Sequence, residues 1–213
     1  MSEKLNHNYS DKEERLNIIT HAFGLLLSVI GLPFLIFKSL NLNGFWKPRS
    51  LIIYGLSLII LYAASTFYHA AKDPHLRRKL NIFDHAAIYV LIAGTYTPFT
   101  ILVLEGFLGW IIFGLTWMFA LTGIILKLFF TGRFDKLSTA LYLLMGWQIM
   151  FVINPLMERF STEGLQLLFA GGVFYTIGAV LYSMKKLPYN HAIFHVFVLL
   201  GSVCHFFSVL GFV

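Results

Sequence analysis

"GWIIFGLTWMFALTGIILKLFF", from Gly109 to Phe130, carries one charged residue, Lys127, close to its end. A bilayer core needs about 20 apolar residues in helical form, so this stretch reads as a membrane-spanning helix. Six more runs of the same kind flank it: Ile18–Phe37, Ser50–Ala71, Ala86–Leu104, Leu137–Leu156, Gly164–Met184 and Asn190–Phe212. Composition agrees. The 213 residues are 58% hydrophobic and 12% charged, about half the charged share of a soluble domain. The sequence predicts an all-α membrane protein, a seven-transmembrane helix bundle. Residues 1–17 form a short tail and residues 18–213 a single domain. Connections are short, which places consecutive helices side by side. The first run is too long for a signal-peptide core and has no small-residue cleavage site after it, so it is expected to stay as a helix.

The net charge of +6 suggests nucleic acid only until its placement is considered. Lys4, Lys12, Arg15, Lys72, Arg77, Arg78, Lys79, Lys127, Arg133, Lys136, Lys185 and Lys186 fall on one side of the seven runs, and Lys38, Lys47, Arg49 and Arg159 on the other. By the positive-inside rule the amino terminus is cytoplasmic and the carboxyl terminus outside. That is the reverse of the usual G-protein-coupled receptor arrangement. No nucleic-acid partner is expected. The one cysteine, Cys204, excludes an intramolecular disulfide and reads as a buried, inert thiol.

With that topology the polar residues fall into one layer. The first helix carries Glu14, Asn17 and His21 at its cytoplasmic end, and the second ends with Ser65 and His69. The third begins with Asp84 and His85, and the seventh with His191 and His195. Ionisable groups at membrane depth are costly and face the bundle interior, so each is a functional candidate. His191 and His195 are four apart and share a helix face. His69 supplies a third imidazole from a facing helix. Three histidines with an open fourth position are the pattern of a catalytic zinc. Calcium and magnesium want oxygen ligands; other imidazole-binding metals stay open on ligand type alone. Asp84 is placed to accept a proton from the zinc water. Ser65, one turn before His69, is placed to hold a substrate oxygen, the water or a ligand. Glu14, Asn17 and His21, spaced by three and four, form a stripe that supports the ligands or gates entry rather than ligating.

The remaining signals read as structural. His205 lies ten residues past His195, about 15 Å along the helix, too far for the same metal; it is expected to bond a neighbouring helix. His85 points about 100° away from Asp84 on the same helix. In GTYTPF, Gly94 to Phe99, small residues allow close helix approach and Pro98 permits a kink. His75 to Lys79 is mainly a topology determinant that also meets anionic headgroups.

The ordered set ERLNIITH (Glu14–His21), STFYH (Ser65–His69), Asp84 and HAIFH (His191–His195) resembles the progestin and adipoQ receptor superfamily, and most of all its bacterial branch, hemolysin III. The likeness covers nearly the whole chain. It implies a zinc held by His69, His191 and His195, with Asp84 at the zinc water and Ser65 in the site. Eukaryotic members are receptors, some with ceramidase activity; bacterial ones are associated with haemolysis and membrane-lipid homeostasis. Nothing in the chain resembles a secreted pore former.

The expected function is that of a cell-membrane, multi-pass zinc hydrolase of a lipid amide or ester, its substrate entering from the inner leaflet. The alternative is a non-enzymatic sensor or regulator of membrane state, or a cytolysis-associated protein, in which a structural zinc staples helices. A transporter is disfavoured because no pair of Gly/Pro-broken spans recurs in two halves.

Overall fold

A computed structural model describes residues 9–130 and 135–213. Lys4, His7 and Arg133 lie outside the described residues, as does the side chain of Lys136. The described residues form eight α-helices and two short irregular helical segments: α1 (Asp11–Ser39), α2 (Trp46–Ala70), α3 (Pro74–Pro98), α4 (Gly106–Phe130), α5 (Asp135–Trp147), α6 (Ile153–Arg159), α7 (Thr162–Ser183) and α8 (Asn190–Phe212). They make seven helical spans long and apolar enough to cross a bilayer, which indicates an integral multi-pass membrane protein. Two spans are composite. The third joins α3 to π-helical turns over Phe99–Leu104, and the fifth joins α5 and α6 through a 3₁₀ stretch, Gln148–Val152.

Helix starts depart from the hydrophobic runs, for a local reason. α1 begins at Asp11, seven residues before Ile18, because the Ser10 hydroxyl accepts the Glu13 N–H at 3.3 Å. α3 begins at Pro74, because the Asp73 carboxylate accepts the Leu76 N–H at 2.8 Å and Pro74 suits the first turn. The stretch His75 to Lys79 is therefore helix rather than loop. Hydropathy registers only the membrane core; the caps set the ends.

Each break has its own cause. Pro98 has no N–H for the Gly94 carbonyl. Beyond it the helix widens, while the Thr97 and Thr100 hydroxyls donate to the carbonyls of Ala93 (2.8 Å) and Tyr96 (3.0 Å). Tyr96 also serves the fifth span. Its hydroxyl donates to the Gly146 carbonyl and accepts the Ile149 N–H, both at 2.8 Å. Non-helical backbone survives at membrane depth only when protein groups satisfy it.

The third span is the most buried of the seven. α2 and α4 pack against α3, α1 against α2 and α8, and α7 against α8. Close approach rests on glycine: a Cβ on Gly94 would collide with Ser57 of α2. At the end of the bundle away from the histidines, Lys38 donates to the Val209 (3.1 Å) and Leu210 (2.8 Å) carbonyls and so caps α8. Cys204 is half-exposed rather than buried: its place on α8 turns it partly outward.

Candidate metal centre

His69 stands in the last turn of α2, and His191 and His195 in the first two turns of α8. Asn190 ties the start of α8 to the end of α7 by donating its amide to the Tyr182 carbonyl at 2.8 Å. That contact holds the entry to α8, where Tyr189 sits in the left-handed region at φ 57°. All three imidazoles are buried, and one nitrogen of each lies within 4.8 Å of the other two.

His69 Nε2 and His191 Nε2 are 3.1 Å apart. Two nitrogens at the zinc–nitrogen length of about 2.0–2.1 Å in a tetrahedral shell are about 3.3 Å apart, so the spacing fits a shared metal. Hydrogen bonds from α1 favour the same use. Glu14 Oε2 lies 2.7 Å from His69 Nδ1 and accepts its proton, leaving Nε2 bare. Thr20 Oγ1 donates its own proton to the Leu16 carbonyl (2.8 Å) and lies 3.4 Å from His195 Nδ1. It can therefore only accept there, which leaves His195 Nε2 bare as well. His191 Nδ1 has no hydrogen-bond partner. The donor set can hold a metal; ligand type leaves its identity open.

The other predicted residues are placed as follows. Glu14 supports His69, and the Asn17 amide lies 3.4 Å from His69 Nδ1. His21 stacks on His195, ring centroids 3.5 Å apart and planes 14° from parallel, with both nitrogens unpartnered. Asp84, 8% exposed, is outside the three-histidine group but shares a cavity wall with His21, His191 and His195. Ser65 is buried one turn before His69 with its hydroxyl unpartnered. His205 makes the expected interhelical bond, Nε2 to the Leu168 carbonyl at 3.0 Å. His85 lines the cavity.

Three contributors escape sequence reasoning. Arg77 donates to Glu14 Oε1, donates to the Ala71 carbonyl (3.3 Å) at the end of α2, and lies over the Tyr68 ring. It thus faces the site, not headgroups; the Asp73-Pro74 cap was the signal that could have placed it on a helix. Thr20 sits between Asn17 and His21 and offered no separate signal. Tyr9, two residues before α1, lays its ring 4.8 Å from His191 and 5.9 Å from His69. Burial, reinforced by Tyr182 and Tyr68, pushes its phenol above the usual range, so the hydroxyl stays protonated.

The cavity, about 160 Å³, begins at His191, His195 and Asp84 and passes between α3, α5, α7 and α8 as far as His205. Its wall is chiefly apolar, formed by residues such as Ile88, Leu91, Ile92, Trp147 and Val198. A buried donor set opening on an apolar chamber suits a ligand with one polar end and a hydrocarbon body.

The chain matches the family described as "Haemolysin-III related" over residues 9–206. It is similar to "Hemolysin-3 homolog" of Bacillus subtilis (strain 168), 46% identical over 95% of each chain. It is also similar to "Hemolysin-3" of Bacillus cereus, 45% identical over 95% of this chain and 92% of the relative. "Monocyte to macrophage differentiation factor" of Homo sapiens is 30% identical over 92% of this chain and 83% of that protein. No solved structure matches.

Proposed function

The chain belongs to the haemolysin-III-related family, and from that premise we propose that it is a zinc-dependent lipid hydrolase of the cell membrane. It cuts an amide or ester near the cytoplasmic face and serves membrane-lipid homeostasis. The observation that carries the reading is a buried three-histidine donor set opening with Asp84 onto an apolar cavity. The amino terminus is cytoplasmic on the lysine and arginine asymmetry of the sequence.

His69, His191 and His195 hold the metal, and bound zinc supplies Lewis acidity and brings water's pKa towards neutrality. Glu14 and Thr20 keep the ligand tautomers with bare Nε2. The cavity takes the acyl chain and keeps bulk water from it. Asp84 takes the proton as water adds to the carbonyl carbon, then returns it to the departing nitrogen or oxygen. The products are a fatty acid and an amine or alcohol. The Ser65 hydroxyl holds the substrate oxygen.

A second reading has its own support. The histidines come from α2 and α8, and α1 holds His69 through Glu14. The metal would then staple three helices of a non-enzymatic membrane-state regulator. Asp84→Asn and His191→Ala separate the two. For a hydrolase, Asp84→Asn stays folded with full zinc yet loses about 10²–10⁴-fold in turnover of its own membrane's lipids, and His191→Ala loses zinc and turnover. For a staple, wild type hydrolyses nothing and Asp84→Asn complements a deletion strain as well as wild type does.

A further inference from the structure

At the His205 end of the chamber lies a second cavity of about 40 Å³, walled by Phe99, Ile149, Leu168 and Phe169. Thr95, Tyr96, Gly146, Trp147, Gly172 and His205 line both spaces. Direct contacts tie this boundary together. The Tyr96 hydroxyl donates to the Gly146 carbonyl at 2.8 Å, and the Trp147 indole N–H to Thr176 Oγ1 at 3.0 Å. Thr176 donates in turn to the Gly172 carbonyl at 2.7 Å, and His205 is held on the Leu168 carbonyl at 3.0 Å. The result is a collar built from α3, α5, α7 and α8.

Two neighbouring glycines of α7 differ in use. A Cβ on Gly171 would stand 2.2 Å from His205 Cδ2 and 3.0 Å from the Gly201 carbonyl, so that glycine lets α8 approach. A Cβ on Gly172 would meet only the Trp147 ring, at 3.6 and 3.7 Å, which is ordinary contact. Helix packing therefore does not require Gly172 to be small. Glycine inside a helix is less favourable than alanine, and a longer side chain here would enter the space between the cavities. An unfilled apolar cavity also forfeits packing contacts. An occupant that threads the collar accounts for both features, and apolar walls suit hydrocarbon.

We propose that the collar at Gly172 passes the end of the substrate's acyl chain into the second cavity, so that Gly172 and Phe169 set the chain length accepted. This rests on the cavity being the acyl chamber. It adds the substrate class: a long-chain acyl lipid. His205 stands ten residues past His195 on α8, and that rise of about 15 Å takes roughly a dozen carbons of extended chain. Only carbons beyond those reach the second cavity. Phe169, whose ring lies 6.4 Å from that of Trp147, stands in its wall.

The test reads binding and stability rather than turnover. Whole zinc-loaded protein in detergent micelles is equilibrated with an equimolar series of saturated fatty acids from octanoate to stearate, and the retained acids are identified by native mass spectrometry. Each variant is read against wild type in the same micelles, which cancels the partition of the free acids. Gly172→Leu is expected to lower the palmitate-to-decanoate ratio about tenfold, the worth of one to two buried methylenes, while decanoate stays bound. Phe169→Ala is expected to move the profile towards longer chains. Without fatty acid, Gly172→Ala should raise the melting temperature and Gly171→Ala should lower it. Retention of no acid by wild type overturns the proposal, as does a wild-type profile or an equal loss at every length in Gly172→Leu. A lowered melting temperature in Gly172→Ala overturns it too, because the glycine would then serve packing. Failure of turnover alone sinks the hydrolase and leaves the chain-length result standing.

Discussion

Glu14 decides which nitrogen of His69 is left for a metal, because its Oε2 takes the Nδ1 proton and Arg77 holds its other oxygen. Such outer partners tune metal affinity by about 10–100-fold. Glu14→Ala should weaken zinc binding by that factor in a chelator competition on purified protein. Glu14→Gln, which keeps an acceptor but loses the charge, should fall between; equal affinities across all three would remove Glu14 from the site. The Glu14, Asn17, His21 stripe was legible because three- and four-residue spacing is the geometry of one helix face. Arg77 was not, because a basic residue beside a span looks the same whether it turns to lipid headgroups or inward. Tyr9 reaches the histidines through the path of the chain before α1, which no periodicity encodes.

Between elements, helices approach where side chains are absent. Lipid offers no hydrophobic drive for helix association, so packing and small residues supply it. Gly94→Val would drive branched carbon into Ser57 and force α2 and α3 apart. The expected cost is about 1–3 kcal/mol, seen as a lower melting temperature in detergent with zinc present; an unchanged melting temperature would mean that this contact yields freely. The seven spans were legible, since about 20 apolar residues have few other uses. Their ends were not, because Ser10 and Asp73 extend the helices through polar turns that hydropathy ignores. The division of the fifth span was illegible too. Its cause is a tertiary partner, the Tyr96 hydroxyl, fifty and more residues away.

Across the whole molecule, the histidine cluster joins helices far apart in sequence: His69 on α2 meets His191 and His195 on α8, and Glu14 reaches in from α1. Among the described residues α4, α5, α6 and α7 supply no ligand to it; α4, α5 and α7 line the cavity. A ligand that binds only the folded state stabilises by its mass-action term, about 4 kcal/mol at a thousand times Kd. Stripping the metal with a chelator should therefore lower the melting temperature, and adding zinc back should restore it in a concentration-dependent way. The loss should also be local. Without a cation the bare Nε2 atoms of His69 and His195 are left buried without the metal they would coordinate, a cost the apo protein can relieve by opening the nearest turns. Hydrogen exchange should then quicken at the start of α1, the end of α2 and the start of α8, while α4 keeps its protection. Acid should act in the same direction, because histidines must be deprotonated to ligate and falling pH releases the metal. Uniform quickening over all seven spans would instead mean that the metal supports the bundle as a whole. No change on stripping would mean that the three histidines hold together without one.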